Sequence, residues 1–426
     1  MKKTFSIVLV LALGISIEVA KADFTFGEPT NLGPTVNSSY REFNASISAD
    51  GLSLLFISNR PGGVGGLDIW MTTRETLDED WGEPVNLGPT INTPVGEWGV
   101  SISSDSLSLY FDTSQSGSVA IDDLWVATRA TTDDNWGNPV SLGPTVNSSA
   151  DDYSPSISAD GLSLYFTSGR SGGSGNYDLW VTTRQTIHDP WGTPVNLGPT
   201  VNSSVFDLFP GISVDGLALF FTSFASDGSG GYGQTDIMVT TRATTNDDWG
   251  EPVNLGSTVN SSTWEDYPNV SADGSTLFFR SSQSALRSGG DIWQAPIMPV
   301  VDFNGDYKVD IEDLAILIEH WGQNEPSVDM APMPWGDGVV DTNDLKVLMS
   351  YWGQEVYDPH SLALWKLDET EGDVAYDSAV ENDAVVMGDA LWHPEGGQIG
   401  GAIQLDGIDD YIDAPCVLDP ADGPLS

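Results

Sequence analysis

The sequence predicts a mainly β protein. We expect a five-bladed β-propeller closed by its N-terminal strand, then a small α-helical pair and a truncated β-sandwich. A fivefold repeat predicts the propeller. The segment Trp-Gly-x-Pro-Val-x-Leu-Gly begins at Trp81, Trp136, Trp191 and Trp249, and a variant begins at Phe26. The spacings of 55, 55, 55 and 58 residues match one propeller blade per copy, because each unit holds four short strands.

The strands within each unit are separated by Gly, Asn, Asp and Pro residues, which favour turns. In the third unit we place them at about 153–158, 162–168, 177–183 and 191–197. A single four-stranded sheet cannot bury both of its faces, so the units should stack around a common axis. The propeller should therefore occupy residues 23–299.

The phase of the repeat predicts how the ring closes. The chain enters on the Phe-Gly strand near Phe26 and leaves after the Asp-Ile-Trp strand at 291–297. The last unit thus lacks its fourth strand, and the first segment is a fourth strand without a blade. We expect residues 26–32 to pair with residues 291–297, which would remove both exposed sheet edges.

The repeat motifs resemble those of TolB-type, WD-like propellers. Ser58-Asn59-Arg60-Pro61-Gly62-Gly63 followed by Asp68-Ile69-Trp70 carries this resemblance, which extends over residues 26–297. The second and fourth copies depart from it, at Ser106 and at Met238. The resemblance implies a scaffold or binding role.

A pair of residues before each presumed innermost strand is the candidate binding site of the propeller. The pairs are Glu42-Phe43, Glu97-Trp98, Asp152-Tyr153, Leu208-Phe209 and Asp266-Tyr267. Propeller symmetry would place four carboxylates and five aromatic rings around the channel, where they could bind a cation or a sugar. The alternative, which we favour, is that the acids bond the backbone of a neighbouring blade and the rings pack between blades.

An enzymatic role is the second hypothesis, because five-bladed propellers also house glycoside hydrolases. Hydrolysis needs unlike carboxylates that converge, whereas these acids recur by symmetry. His188 and Asp189 break the repeat, but they fall on an outer loop.

Charge and the N-terminus indicate an exported protein. The net charge is −47, from 62 acidic and 15 basic residues, which disfavours binding to nucleic acid or anionic lipid. Lys2, Lys3, an apolar run over residues 5–17 and Ala20-Lys21-Ala22 indicate a signal peptide over residues 1–22. The mature chain should have no membrane span and should be extracellular or periplasmic. The single cysteine, Cys416, excludes an intrachain disulfide framework.

A calcium-binding loop is predicted after the propeller. Its oxygen ligands have EF-hand-like spacing, which surrounds one hard cation. They are Asp302, Asn304, Asp306, Lys308 through its carbonyl, Asp310 and Asp313. A partial duplicate supplies Asp337, Asp341 and Asp344, 31 residues further on. Its first two ligand positions fall on Met333 and Trp335, so Asp329 is a substitute if the loop is longer.

These duplicated loops, each followed by one helix, resemble the type I dockerin domain. The resemblance spans residues 301–354 within a predicted domain at 300–356, and Tyr307 departs from the glycine usual at its position. It implies calcium as cofactor and a cohesin-like protein as partner. The alternative is a calcium-stabilised spacer between two β domains.

The C-terminal segment, residues 360–426, resembles the opening of a laminin-G-like, concanavalin A-like jelly roll. Gly401-Ala-Ile-Gln-Leu-Asp-Gly-Ile-Asp-Asp-Tyr411 is its most specific stretch. Such domains need more residues than remain, so we expect a fragment. The three segments together predict a secreted, calcium-binding scaffold or binding protein that engages a glycan or a cohesin-like partner. An extracellular glycoside hydrolase, or an accessory subunit of polysaccharide degradation, is the alternative.

Overall fold

The structure is a computed structural model that describes residues 24–115, 118, 120, 122–224, 232–283, 289–304, 308–323, 328–331 and 339–354. Beyond residue 354, only the backbone of five short strands is described. The predicted signal peptide, Asp306, Asp337 and Cys416 lie outside the described residues. Within these limits, no helix is long and apolar enough to cross a membrane.

The chain enters the propeller through β1 (Phe24–Phe26), β2 (Thr30–Asn31) and one helical turn, α1 (Gly33–Val36). Four blades of four antiparallel strands follow. Blade 1 consists of β3 (Glu42–Ile47), β4 (Ser53–Ser58), β5 (Asp68–Thr73) and β6 (Val85–Asn86). Blade 2 consists of β7 (Glu97–Ile102), β8 (Ser108–Thr113), β9 (Asp123–Thr128) and β10 (Val140–Ser141). Blade 3 consists of β11 (Asp152–Ile157), β12 (Ser163–Ser168), β13 (Asp178–Thr183) and β14 (Val195–Asn196). Blade 4 consists of β15 (Asp207–Ile212), β16 (Ala218–Ser223), β17 (Asp236–Thr241) and β18 (Val253–Asn254).

Blade 5 is completed by the two ends of the propeller sequence. It contains β19 (Glu265–Val270), β20 (Thr276–Ser281) and β21 (Asp291–Pro299), and its outer strands are β1 and β2. Phe26 pairs with Ile297 and Asn31 pairs with Trp293, in antiparallel register. The predicted five-bladed propeller and its closure by the N-terminal strand are confirmed.

The hydrophobic core lies between neighbouring blades, which is why the repeats must stack. Each second strand contributes one fully buried phenylalanine: Phe56, Phe111, Phe166, Phe221 and Phe279. Phe56 and Trp70 of blade 1 share a cluster with Ile292 of blade 5, so the same packing continues across the closure. Burying one such ring stabilises the fold by about 1.5–3 kcal/mol.

The fourth strand of each blade is shorter than predicted. In blade 3 the ladder is confined to Val195 and Asn196, although we expected a strand from Trp191. Pro194 has no N–H to donate, and the Trp191 ring lies 4.3 Å from the Arg184 guanidinium carbon. This segment therefore packs through its side chains instead of extending the sheet.

Two helices follow the propeller, α2 (Ile311–Glu319) and α3 (Thr342–Ser350), and a shared apolar cluster includes Leu317 and Leu348. In the C-terminal segment β22 (Val374–Ala375), β23 (Ala384–Met387) and β26 (Tyr411–Asp413) form one sheet. A second sheet contains β24 (Leu391–His393) and β25 (Ala402–Gln404). The predicted jelly roll stays a prediction.

Candidate functional site

The first residue of every innermost strand is a buried acid. The five acids are Glu42, Glu97, Asp152, Asp207 and Glu265. Each accepts the backbone N–H of the residue four positions earlier, as Glu42 does from Ser38 at 3.0 Å. Each also accepts a hydroxyl from the neighbouring strand, as Glu42 does from Ser58 at 2.8 Å. These acids fix the loop that leads into their own blade, not the backbone of a neighbouring blade.

Two of the predicted residue pairs are one position out of register. Asp207 and Glu265 begin their strands, so Leu208 and Asp266 occupy the second position and Phe209 and Tyr267 the third. The prediction that Asp266 is equivalent to Glu42, Glu97 and Asp152 is therefore wrong. The ring of buried acids has five members and belongs to the scaffold.

The third residue of the innermost strand adopts a left-handed conformation in four blades. Asn44, Ser154, Phe209 and Tyr267 have φ between 50° and 56°, and the strand register shifts at each of them. For a non-glycine residue this conformation costs about 1–2 kcal/mol. In blades 3 and 4 the bulge turns its backbone N–H toward the preceding blade: Ser154 donates to Asp112 Oδ1 at 2.7 Å and Phe209 to Thr167 Oγ1 at 2.9 Å. Bulges of this kind redirect side chains.

The five predicted aromatic residues lie in one continuous series of ring contacts. Phe43 is 6.5 Å from Trp98 and 5.0 Å from Tyr267 between ring centroids. Tyr267 stacks on Phe209 at 3.8 Å, and Phe209 lies 6.1 Å from Tyr153. Phe209 and Tyr267 line a small void of about 10 Å³, about the least that holds one water. Trp98 is the most exposed of the five rings.

An ion pair unique to blade 5 lies beside these rings. Arg280 Nη2 donates to Asp266 Oδ2 at 2.5 Å, and both side chains are largely buried. The Arg280 guanidinium carbon is 5.6 Å from the centre of the Tyr267 ring. Burial raises the pKa of Asp266 to about 6, although the Arg280 charge opposes the shift. The pair occupies positions that are apolar or uncharged in blade 1.

The residues that immediately precede the innermost and third strands form a layer that we name the rim. Their backbones are joined between blades, since Asp152 N–H donates to Asp122 O and Asp207 N–H donates to Tyr177 O. The residues before the innermost strands are Arg41, Gly96, Asp151, Phe206 and Trp264. The residues before the third strands are Leu67, Asp122, Tyr177, Thr235 and Gly290. The strands repeat their chemistry from blade to blade, whereas the rim differs at every blade.

Sequence reasoning did not single out the rim. The signal was available in the repeat itself, because aligning the five copies shows where they disagree. A site that binds one ligand asymmetrically should be built from residues that differ between the copies, and the rim residues do.

A cleft of about 640 Å³ opens at the rim beside blade 3. It is lined by Ala120, Ser149, Ala150, Asp151, Gly169, Asn176, Tyr177 and Phe206. The Tyr177 hydroxyl donates to Asp151 Oδ2 at 3.1 Å, and the Tyr177 ring stacks against Phe206 at 5.9 Å and 23°. Gly169 makes room for this arrangement, because a Cβ there would lie 2.9 Å from the Tyr177 ring.

The cleft is continuous with the aromatic residues of the channel. Tyr177 is 5.6 Å from Tyr153 between ring centroids, and Phe206 is 5.0 Å from Phe224. Phe224 in turn contacts Trp264 at 5.9 Å. Aromatic surface therefore extends along the rim from blade 3 to blade 5.

Three carboxyl groups of blade 2 have raised pKa values. Burial and the nearby charge of Asp151 raise the pKa of Asp122 to about 6. Burial also raises the pKa of Asp112, which is fully enclosed and whose Oδ1 accepts the Ser154 N–H at 2.7 Å. Burial raises the pKa of Glu97 to about 8. Glu42 and Asp152, which correspond to Glu97 in blades 1 and 3, pair with Arg60 and Arg170. In blade 2 the position of this arginine is occupied by Gln115.

The first predicted calcium loop ends in a helix cap. Asp313 is buried, and its carboxylate accepts the backbone N–H groups of Phe303, Asn304 and Asp310. Asp310 reciprocates by accepting from Glu312 N–H at 2.8 Å. Lys308 is exposed. In the parts of both loops that are described, no three acidic, histidine or cysteine side chains are grouped to hold a metal.

The second loop is longer than the first. Asp344 accepts the N–H groups of Met330 and Ala331, as Asp313 does those of Phe303 and Asn304. Asp329 therefore corresponds to Asp302. The first ligand position of the second loop lies at Asp329, four residues before Met333, where we expected it. Asp341 caps α3 as Asp310 caps α2.

The fold and the rim define the first part of the chain as a five-bladed β-propeller with a candidate binding cleft. Solved structures similar to it include TolB from Acinetobacter baumannii, at 12% identity and a TM-score of 0.39 over 60% of this chain and 54% of that one. A putative TolB from Agrobacterium tumefaciens matches at 17% identity and 0.37, over 62% and 80%. An α-L-arabinofuranosidase from Lactobacillus brevis matches at 13% and 0.42, over 63% and 94%.

The chain spans about half the length of the A. baumannii TolB. Likenesses at these identities and TM-scores say nothing about ligand or activity. No protein-family model matches the sequence, and no curated protein matches it either.

Proposed function

We propose that the propeller is a glycan-binding module and that sugar rings bind in the rim cleft. The observation that carries the proposal is the Tyr177–Phe206 stack beside the Asp151 carboxylate. Aromatic rings offer flat apolar faces to the C–H faces of a sugar, and a carboxylate accepts hydroxyl hydrogens. The cleft volume is in the range of small-ligand sites.

The extended aromatic surface favours an oligosaccharide over a single sugar. The ring contacts lead from the cleft toward Trp264 on one side and toward Tyr153 on the other. A chain that crosses the rim would contact several rings in succession. The scaffold beneath is rigid, because the acids and bulges described above fix every innermost strand.

Binding assays with the full chain test the proposal. We expect Tyr177→Ala and Phe206→Ala each to weaken binding of soluble oligosaccharides by about tenfold, which corresponds to about 1.4 kcal/mol. Tyr232→Ala is the matched control, since Tyr232 is exposed but does not line the cleft. Isothermal titration calorimetry after a glycan array provides the measurement. Equal losses in all three variants would contradict the proposal.

The helix pair supports a second binding function. Ile318 and Met349, which occupy equivalent positions of α2 and α3, are both exposed, as are Trp321 and Trp352. The duplication thus presents the same apolar residues twice, which suits docking on a cohesin-like partner and not a mere spacer. Pull-down of the full chain with purified cohesin modules, and with Ile318→Ser plus Met349→Ser, tests this function.

Calcium binding by the first loop is a further part of the proposal. Asp302, Asn304, Asp310 and Asp313 are oxygen donors of the kind that calcium prefers. The backbone bonds to Asp313 hold the two ends of the loop together, so these residues fit the ion. Calcium would supply charge neutralisation within the loop, and Asp310 and Asp313 would keep α2 capped.

A glycoside hydrolase is the alternative function, and one observation favours it. Asp151 lines the cleft, and Asp122 lies near enough to interact with its charge. Burial, and after it Asp151, raises the pKa of Asp122 to about 6. A raised pKa suits a general acid. His188 and Asp189 lie in an exposed outer loop and do not take part. Release of reducing sugar that Asp122→Asn abolishes would establish hydrolysis.

A further inference from the structure

The cleft carries uncompensated negative charge. Asp151 lines it, and Asp122 lies close enough to interact electrostatically with Asp151. The lining described above contains no lysine or arginine. Arg170 follows Gly169 in the chain, but its guanidinium bonds Asp152 at 2.5 Å and the carbonyl of Val146 at 2.6 Å. Arg170 is therefore already paired.

Two buried carboxyl oxygens of blade 2 lack donors. In the part of the chain that is described, neither Asp112 Oδ2 nor Asp122 Oδ1 receives a hydrogen bond. Asp112 is 0% exposed, and burial together with the nearby Asp122 and Glu97 carboxyl groups raises its pKa. Acids that repel one another in a low dielectric are stabilised by a cation brought into their field.

The aromatic faces of the cleft narrow the kind of cation. Metal ions need several ligands that converge, and no such group of three occurs among the described side chains. The Tyr177 and Phe206 rings instead suit an organic cation, because ammonium groups are attracted to aromatic faces. An amine carried on a sugar would satisfy both the rings and the carboxylates.

We infer that the rim cleft is selective for amino sugars with a free, protonated amine, in preference to neutral, N-acetylated or acidic sugars. The inference rests on the proposed glycan-binding function and names its ligand class. N-acetylation would remove the charge that Asp151 and Asp122 attract. A uronate would add a negative charge to a cleft that has no free base in its lining.

Calorimetry on the full chain, with four oligosaccharides of equal length, tests the inference. The ligands are a fully deacetylated glucosamine oligomer, its N-acetylated counterpart, a cello-oligosaccharide and an oligogalacturonate. At about pH 6.5 we expect the amine-bearing oligomer to bind about tenfold more tightly than the neutral ones. The oligogalacturonate should bind least.

Variants locate the selectivity. Asp151→Asn and Asp122→Asn should each reduce the preference for the amine, measured as the ratio of the affinities for the glucosamine oligomer and the cello-oligosaccharide, to about twofold or less. Glu83→Gln is the control, because Glu83 is an exposed acid on the outer edge of blade 1. If either cleft variant is misfolded by circular dichroism, salt replaces it as the probe. The preference should then shrink between about 0.05 and 0.5 M NaCl, since exposed charges are screened.

The outcomes separate the two proposals. Equal affinity for the amine and neutral oligomers, or a preference that salt leaves unchanged, overturns the amino-sugar inference and leaves glycan binding intact. Failure of all four oligomers, and of a glycan array, to bind overturns both.

Discussion

Asn37 and Ile292 exchange two hydrogen bonds across 255 residues of chain. The Asn37 amide donates to Ile292 O at 2.9 Å, and the Ile292 N–H donates to Asn37 Oδ1 at 2.8 Å. The other four blades make the same exchange between Asn92 and Ile69, Asn147 and Leu124, Asn202 and Leu179, and Asn260 and Ile237. The same pair of hydrogen bonds that occurs at the junctions between consecutive blades therefore also occurs at the junction of blades 5 and 1, where the ring closes.

Replacing Asn37 should open the ring selectively. Asn37→Ala leaves the buried Ile292 N–H without a partner and leaves Ile292 O with only the Leu32 N–H, at 3.2 Å, which should cost about 1–3 kcal/mol. Asn147→Ala removes the same bonds inside the ring and is the matched control. Both should lower the midpoint of urea unfolding, but only Asn37→Ala should speed hydrogen exchange in β1 and β2. Similar exchange in these strands for both variants would contradict closure by Asn37.

A substitution at Gly99 tests the enclosed carboxylate. A Cβ at Gly99 would lie 2.4 Å from Asp112 Oδ1 and 2.8 Å from Ser154 Cα. Gly99→Ala must therefore displace the joint between blades 2 and 3, and we expect a loss of about 1–3 kcal/mol. Gly66→Ala is the control, since a Cβ there meets nothing within 4 Å. Thermal unfolding that is identical for the two variants would argue against this packing.

The stability of the propeller should fall as pH rises above about 5. Burial raises the pKa of Glu97 from 4.5 to about 8, so the folded state holds this proton more tightly than the unfolded chain. The stability it contributes is present at low pH and is lost as pH rises through about 8, with a slope of at most about 1.4 kcal/mol per pH unit. Urea unfolding at several pH values measures this slope.

Variants in blade 2 show which residue causes the pH dependence of stability. Glu97→Gln should flatten the pH dependence, whereas the exposed Glu83→Gln should leave it unchanged. Gln115→Arg would place a cation where blades 1 and 3 have Arg60 and Arg170, which should lower the pKa of Glu97 and also flatten the slope. A slope that persists in both blade 2 variants would assign it to the other buried acids, such as Asp112.

The repeated part of the fold was predictable from sequence, and the candidate site was not. The period of the repeat and the order of the strands could be predicted because residues such as Phe56 and Asn92 recur. They recur because every blade packs against an equivalent neighbouring blade. The rim follows no such rule: Arg41, Asp151 and Phe206 occupy equivalent positions with unrelated chemistry. Asp266 was assigned to the wrong register because two acids, Glu265 and Asp266, are adjacent in the sequence. Only the bulge at Tyr267 shows that Glu265 is the first residue of the strand.

The last prediction concerns calcium and the length of the second loop. If calcium binds the first loop, an excess of about 100 times its Kd should stabilise the helix pair by about 2.7 kcal/mol. A chelator should remove that gain, seen as faster hydrogen exchange in α2. Asp302→Ala should abolish the response in α2, and Glu319→Gln, an exposed acid of the same helix, should not.

Asp329 provides the matching test in α3. Its equivalence to Asp302 predicts that Asp329→Ala removes any calcium response of α3 and leaves that of α2 intact. The physical reason is that Asp344 binds the backbone beside Asp329, at Met330 N–H 2.6 Å and Ala331 N–H 2.8 Å. A response in α3 that survives Asp329→Ala would show that the second loop binds its ion without this residue. No response to calcium in either helix would refute calcium binding by the pair.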